Sequence, residues 1–179
     1  MKNAFYLTII LLLVNLLCNQ AKAQPLDTNV NYAQCSEDKN MIIGETTLEK
    51  LEQNEEFWSK YLANYANCII DEEKTNEISN ALTNRKIHII TVIGTWCSDT
   101  KEHLPVFQKI IDNIKGNNIT IKYIGVNRDK LAEKTDISSL NIEFVPTFIF
   151  YEGSKELGRI VESPQTTLEE DIFNIVNNK

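Results

Sequence analysis

Apolar positions recur along this chain with two different periods, and each predicts a different kind of element. Leu48, Leu51, Trp58, Leu62, Tyr65 and Ile69 fall at helical spacing, which predicts one long or two short helices over Thr47–Cys68. Thr46-Thr47-Leu48-Glu49 reads as a capping box at their start. The stripe of Trp58, Tyr61 and Tyr65 can line a substrate groove, but such a stripe is more often core or an inter-helix seam. Asp71 can cap a further helix that carries Ile78 and Leu82 inward and ends near Asn84. Lys86–Gly94 is almost continuously apolar and β-branched, as expected of a central strand covered on both faces. Leu104, Phe107, Ile111 and Ile114 then mark the buried face of a helix that opens at Cys97 and ends at Gly116-Asn117-Asn118.

The second half changes period. Ile119–Val126 alternates as a strand, and the polar stretch Asn127–Ser139 is expected to carry a short helix. Thr147–Tyr151 reads as a third strand, Glu152-Gly153-Ser154 as a turn, and Leu157–Val161 as a hairpin partner. Thr166-x-x-Glu169 opens a last helix with Leu168, Ile172, Ile175 and Val176 on one face. The order is β–α–β–(α)–β–β–α after a helical prelude. A strand, a crossover helix and a strand make a right-handed parallel unit, and the hairpin adds an antiparallel strand. The expected fold is α/β, with a central mixed sheet of about four strands flanked by helices. The division expected is a targeting segment over 1–23, an irregular arm over 24–45, a helical prelude over 46–84 and the main domain over 85–179.

The first residues set the compartment. Lys2 precedes an apolar run from Leu7 to Leu17, and Ala21-Lys22-Ala23 fits a small-x-small cleavage site, so the pattern is that of a signal peptide with a mature start at Gln24. The run is too short for a membrane span. This predicts a periplasmic or extracellular protein. Cys18 offers a lipid-anchored alternative, although Leu17 stands where such a motif has a small residue. The net charge is −7; residues 1–23 hold two lysines and no acid, which leaves 16 basic against 25 acidic residues. An acidic surface argues against nucleic acid or an anionic membrane as the main partner.

Export also alters how cysteines read. Three remain in the mature part: Cys35, Cys68 and Cys97. Thiols in an oxidising compartment tend to pair, and an odd number leaves one over. The economical partition is a Cys35–Cys68 disulfide with Cys97 free, but three single pairings exist and all three thiols can be reduced. No cysteine pair has metal-ligand spacing, so no metal is expected. There is no P-loop and no G-x-G-x-x-G, so neither nucleotide nor other cofactor is expected. Neither His88, inside a strand, nor His103, six residues from Cys97 and turned away from it around the helix, suits a general base.

Chemistry concentrates in Gly94-Thr95-Trp96-Cys97-Ser98-Asp99-Thr100-Lys101, where a strand turns into a helix. A helix N-terminus presents unpaired N–H groups and partial positive charge, which suits a reactive sulfur. Asp99 works both ways: it suits the helix start but opposes a neighbouring thiolate.

With Trp96-Cys97 ending the central strand, Pro105 eight residues after the cysteine, Val145-Pro146-Thr147 before the next strand and Lys101 just past the turn, the chain from Lys86 onward resembles the thioredoxin family. The resemblance implies a thioredoxin-like fold, a cis bond at Val145–Pro146 beside the cysteine, and thiol–disulfide chemistry with thiol- or disulfide-containing proteins or small thiols. It implies Cys97, Thr100 and Pro146 as the reacting constellation and Trp96, Ser98, Asp99 and Val145 as the groove around it. Two departures narrow the chemistry. The family has Cys-x-x-Cys, and here Thr100 stands in place of the second cysteine. The family's buried carboxylate, six residues before the first cysteine, falls at Thr91. Three readings follow: a monothiol exchange site, a site whose missing thiol is supplied by Cys35 or Cys68, and a binding module that uses the groove beside Pro146 without turnover.

Overall fold

The structure is a computed structural model that describes residues 41–116 and 119–177. The expected targeting segment, most of the arm, and Cys35 lie outside the described residues. In chain order the elements are β1 (Gly44–Thr46), α1 (Leu48–Leu51), α2 (Glu55–Asn67), α3 (Glu72–Ala81), β2 (Ile87–Ile93), α4 (Ser98–Asn113), β3 (Ile119–Gly125), β4 (Thr147–Glu152), β5 (Lys155–Val161) and α5 (Leu168–Asn177).

The strands form one mixed sheet in the order β1-β3-β2-β4-β5. β2 is central: it runs parallel to β3 through the α4 crossover and antiparallel to β4, with Thr91 opposite Tyr123 on one side and Phe148 on the other. β4 and β5 form the expected hairpin. The sheet has five strands, not about four. The extra one is β1, antiparallel to β3 on the outer edge. Three residues are too few to show an alternating pattern, which is why the sequence reads as an arm there. The approach is close: a Cβ on Gly125 would lie 2.1 Å from the Ile42 carbonyl oxygen, so only glycine admits the incoming chain.

Alternate residues of β2 face two different cores. Ile87, Ile89 and Ile93 join Phe57, Leu104, Phe107, Phe148 and Phe150 under the helices. Val92 joins Ile124, Val126, Ala132, Ile137 and Val145 under the irregular segment between β3 and β4, and Cys97 belongs to this second cluster. That segment holds only a 3-10 turn at Ser138–Leu140 instead of the expected short helix. Lys130 and Lys134 adopt positive φ, and the Asn127 side chain accepts from Leu131 N, so the chain turns rather than coils.

The stretch Thr47–Cys68 forms two helices, α1 and α2, with Asn54 capping α2 through a 3.0 Å bond from Phe57 N. Asp71 caps α3 as expected. Both predicted capping boxes slip by one residue: Thr47 and Thr167 accept from the third residue on, while Thr46 and Thr166 do not cap. Trp58 stacks on buried Tyr61 at 4.6 Å, one turn along the same helix, and both pack with Tyr65 against the main core. Pro105 sits inside α4, where its missing N–H frees the carbonyl of Lys101. Asn64 of α2 takes that carbonyl with a 2.8 Å hydrogen bond, and Lys101 Nζ meets Glu56 at 3.0 Å. The prelude thereby holds the first turns of α4.

Candidate active site

At the C-terminal end of β2 the chain turns through Gly94 and Thr95, with Cys97 N donating to Gly94 O at 2.9 Å. Cys97 is the N-cap of α4, in extended backbone, and its side chain makes no capping bond. The sulfur finds its partners elsewhere. It donates to Val145 O at 3.1 Å and lies 3.6 Å from Asp99 Oδ2. The residue is 8% exposed.

Trp96 forms one wall. Its indole lies flat against Gly94, where a Cβ would meet the ring at 2.7 Å. Its Nε1 donates to Val126 O at 2.9 Å, and the Arg128 guanidinium stands 5.0 Å above the ring. The opposite wall is the segment entering β4. The Val145–Pro146 bond is cis. Thr147 Oγ1 donates to Phe144 O and Glu162 N donates to Pro146 O, both at 2.7 Å, so this wall is tied at both ends.

The structure brings Trp96, Cys97, Ser98, Asp99 and Val145 together around one groove. It adds Arg128, Lys130, Phe144 and Glu162, which sequence reasoning did not single out. Phe144 is 48% exposed at the rim. Its one signal was adjacency to Val145-Pro146; the others come from loops, whose placement depends on packing and not on local pattern.

The two departures are both buried. Thr100 is fully buried, and its hydroxyl accepts from Gly94 N at 3.3 Å. It braces the turn instead of reaching the sulfur. Thr91 is also fully buried, and its hydroxyl has no hydrogen-bond partner among the described residues. Cys68 is a free thiol. Its carbonyl accepts from Lys109 Nζ, which lies twelve residues, or roughly 18 Å of helix, beyond Cys97. His88 contacts Thr120 Oγ1 through a ring nitrogen at 3.1 Å.

A thioredoxin family model matches residues 44–172. The chain belongs to the thioredoxin family. It is 31% identical over 106 residues to thioredoxin H2-1 of Oryza sativa subsp. japonica, which covers 59% of this chain and 72% of that protein. It is 33% identical over 92 residues to a thioredoxin of Coprinus comatus, covering 50% and 82%. It is 26% identical over 106 residues to thioredoxin-2 of Saccharomyces cerevisiae, covering 58% and 95%. The match begins at β1, so the short edge strand and the helices after it fall within the thioredoxin match. The protein is a thioredoxin-like redox protein. No helix among the described residues is long and apolar enough to cross a membrane.

Proposed function

We propose that this is an exported thioredoxin-like protein whose Cys97 works alone, forming mixed disulfides with disulfide- or thiol-bearing partners. The observation that carries the reading is the position of the Cys97 sulfur. It sits at the N-cap of α4, 3.1 Å from Val145 O, while the position one turn on is a fully buried threonine bonded to Gly94 N. The field of the helix end favours negative charge on that sulfur, and the Val145 backbone offers an edge along which an extended partner can lie. In the exchange step the Cys97 proton leaves to solvent and the thiolate attacks one sulfur of the partner disulfide. A Cys97–partner disulfide forms and the other partner sulfur departs as a thiolate. No second thiol follows Cys97 at the usual spacing, and in this reading an external thiol removes the adduct. The compartment rests on the signal-peptide pattern at Lys2, Leu7–Leu17 and Ala21-Lys22-Ala23.

A second reading is a groove that binds partners without turnover. It is favoured by the Cys97 S–H having two acceptors, Val145 O and Asp99, in a nearly closed position. Differential alkylation with mass spectrometry decides between the two. Exchange requires that Cys97 be alkylated at neutral pH and that a small disulfide leave one adduct on it. A Cys97→Ser variant that keeps full partner binding and full biological activity would sink the exchange reading.

A further inference from the structure

The Asp99 carboxylate lies within hydrogen-bond reach of the reacting sulfur, at 3.6 Å. The other contact, Val145 O, is a neutral carbonyl at 3.1 Å. Exchange requires the sulfur to become negative, and a carboxylate this close opposes that charge. The chain supplies little at the sulfur to offset it. The Thr100 hydroxyl accepts from Gly94 N on the buried side of the turn. Lys101 is held by Glu56 at 3.0 Å. Arg128 lies over the Trp96 ring, and it, Lys130 and Glu162 line the same groove. Asp99 is half-exposed and faces the groove, so a group brought in by a partner can reach it.

We infer that Asp99 makes Cys97 selective for disulfides that carry a cationic group beside the sulfur under attack. Such a cation pairs with Asp99 as the substrate docks and removes the charge that opposes the thiolate. The substrate class is then a cationic small disulfide, or a peptide cystine flanked by lysine or arginine. The step is the one already written: the Cys97–substrate bond forms, the substrate S–S bond breaks, and the departing sulfur is reduced and takes a proton from water. The inference rests on the exchange reading, and its test separates the two.

The full-length protein, reduced, is mixed at pH 7 and low salt with cystamine, hydroxyethyl disulfide and dithiodipropionate, which are cationic, neutral and anionic. Adduct formation on the Cys97 peptide is followed by mass spectrometry, and each rate is divided by that reagent's rate with a small neutral thiol. The expected order is cationic, neutral, anionic, with about tenfold between the extremes. High salt compresses that ratio. Asp99→Asn collapses it and raises the neutral rate, while Asp99→Glu, which restores the charge, keeps it. Equal rates, or a preference for the anionic reagent set by Arg128 and Lys130, would overturn the inference. So would an unchanged ratio in Asp99→Asn, which would assign the preference to the overall charge of −7. No adduct on Cys97 with any of the three would instead bring down the exchange reading beneath it.

Discussion

Two thiols in this protein stand at opposite kinds of helix end, on two helices that pack against each other. Cys97 is the N-cap of α4 and Cys68 is the C-cap of α2. The backbone dipoles therefore offer positive partial charge to one sulfur and negative to the other. Both donate to a backbone carbonyl, but the carbonyls differ. Cys68 reaches Tyr65 O, in the last turn of its own helix, at 3.5 Å. Cys97 reaches Val145 O, 48 residues away, at 3.1 Å. The surroundings differ in the same sense. Lys109 Nζ donates to both Tyr65 O and Cys68 O, and Tyr65 OH donates to Asp112, so the polar groups near Cys68 are committed to the scaffold. Cys97 opens on a groove with charged side chains on its rim. Cys68, the more exposed of the two, bonds within its own helix, whereas Cys97 is aimed across a gap at another segment, the geometry that the proposed exchange uses.

Removing each sulfur in turn tests this contrast most severely. With cystamine as the probe, Cys97→Ser is expected to abolish the adduct at that position, while Cys68→Ser leaves the Cys97 adduct unchanged. Peptide mapping of the full chain reads both sites. Equal modification of Cys68 and Cys97 in the parent protein would break the comparison.

The next largest effect comes from giving Cys97 the partner it lacks. Thr100→Cys places a second thiol one turn along α4, where the attack becomes intramolecular. The adduct half-life is expected to fall by roughly a hundredfold or more, ending in a disulfide between Cys97 and the introduced thiol. The lost hydrogen bond from Gly94 N costs about 1 kcal/mol, so the variant should still fold. A time course of intact mass reads the outcome, and an adduct as persistent as the parent's would show that the threonine is not what makes the site single-thiol.

Much of this contrast was legible in the chain itself. The continuous apolar run of β2 and the alternation of β3 fixed the parallel unit, and the strand-to-helix turn fixed Cys97 at a helix start. Adjacency in sequence also placed Trp96, Ser98 and Asp99, and the family pattern placed Val145 and Pro146. What escaped was set by tertiary packing. β1 is too short to carry a period, and its pairing depends on Gly125 admitting Ile42. Arg128, Lys130 and Glu162 reach the groove from loops. Thr100 falls in the constellation that the family resemblance implies, yet its hydroxyl accepts from Gly94 N, a geometry that only the folded turn defines. Cys35, the expected partner of Cys68, lies outside the described residues.

A smaller effect should follow from disturbing the wall beside Cys97. Gly94→Ala puts a methyl 2.7 Å from the Trp96 ring. The indole must move, which loosens its bond to Val126 O and the Arg128 stack. The expected cost is about 1–3 kcal/mol, with a change in tryptophan fluorescence and faster alkylation of Cys97. Denaturation and alkylation of the same sample measure both. An unchanged alkylation rate would mean that Trp96 does not shield the sulfur.

The smallest effect belongs to the scaffold around Cys68 and carries its own pH signature. The hydrogen bond to Asp112, with burial adding to it, raises the Tyr65 phenol from its usual 10 to about 12. A group that holds its proton more tightly when folded contributes its full stabilisation below pH 10 and loses it as pH rises from 10 to about 12. Tyr65→Phe should therefore lower stability at neutral pH by about 1 kcal/mol or less, because water competes for a bond this near the surface. Its alkaline limb should be flatter than the parent's across that window. The Cys97 adduct rate should not change, since Lys109 and Asp112 separate the two regions along α4. Chemical denaturation from pH 8 to 12, with cystamine trapping at pH 7, checks both halves. A Tyr65→Phe variant that slowed trapping at Cys97 would show that the two ends of α4 are coupled after all.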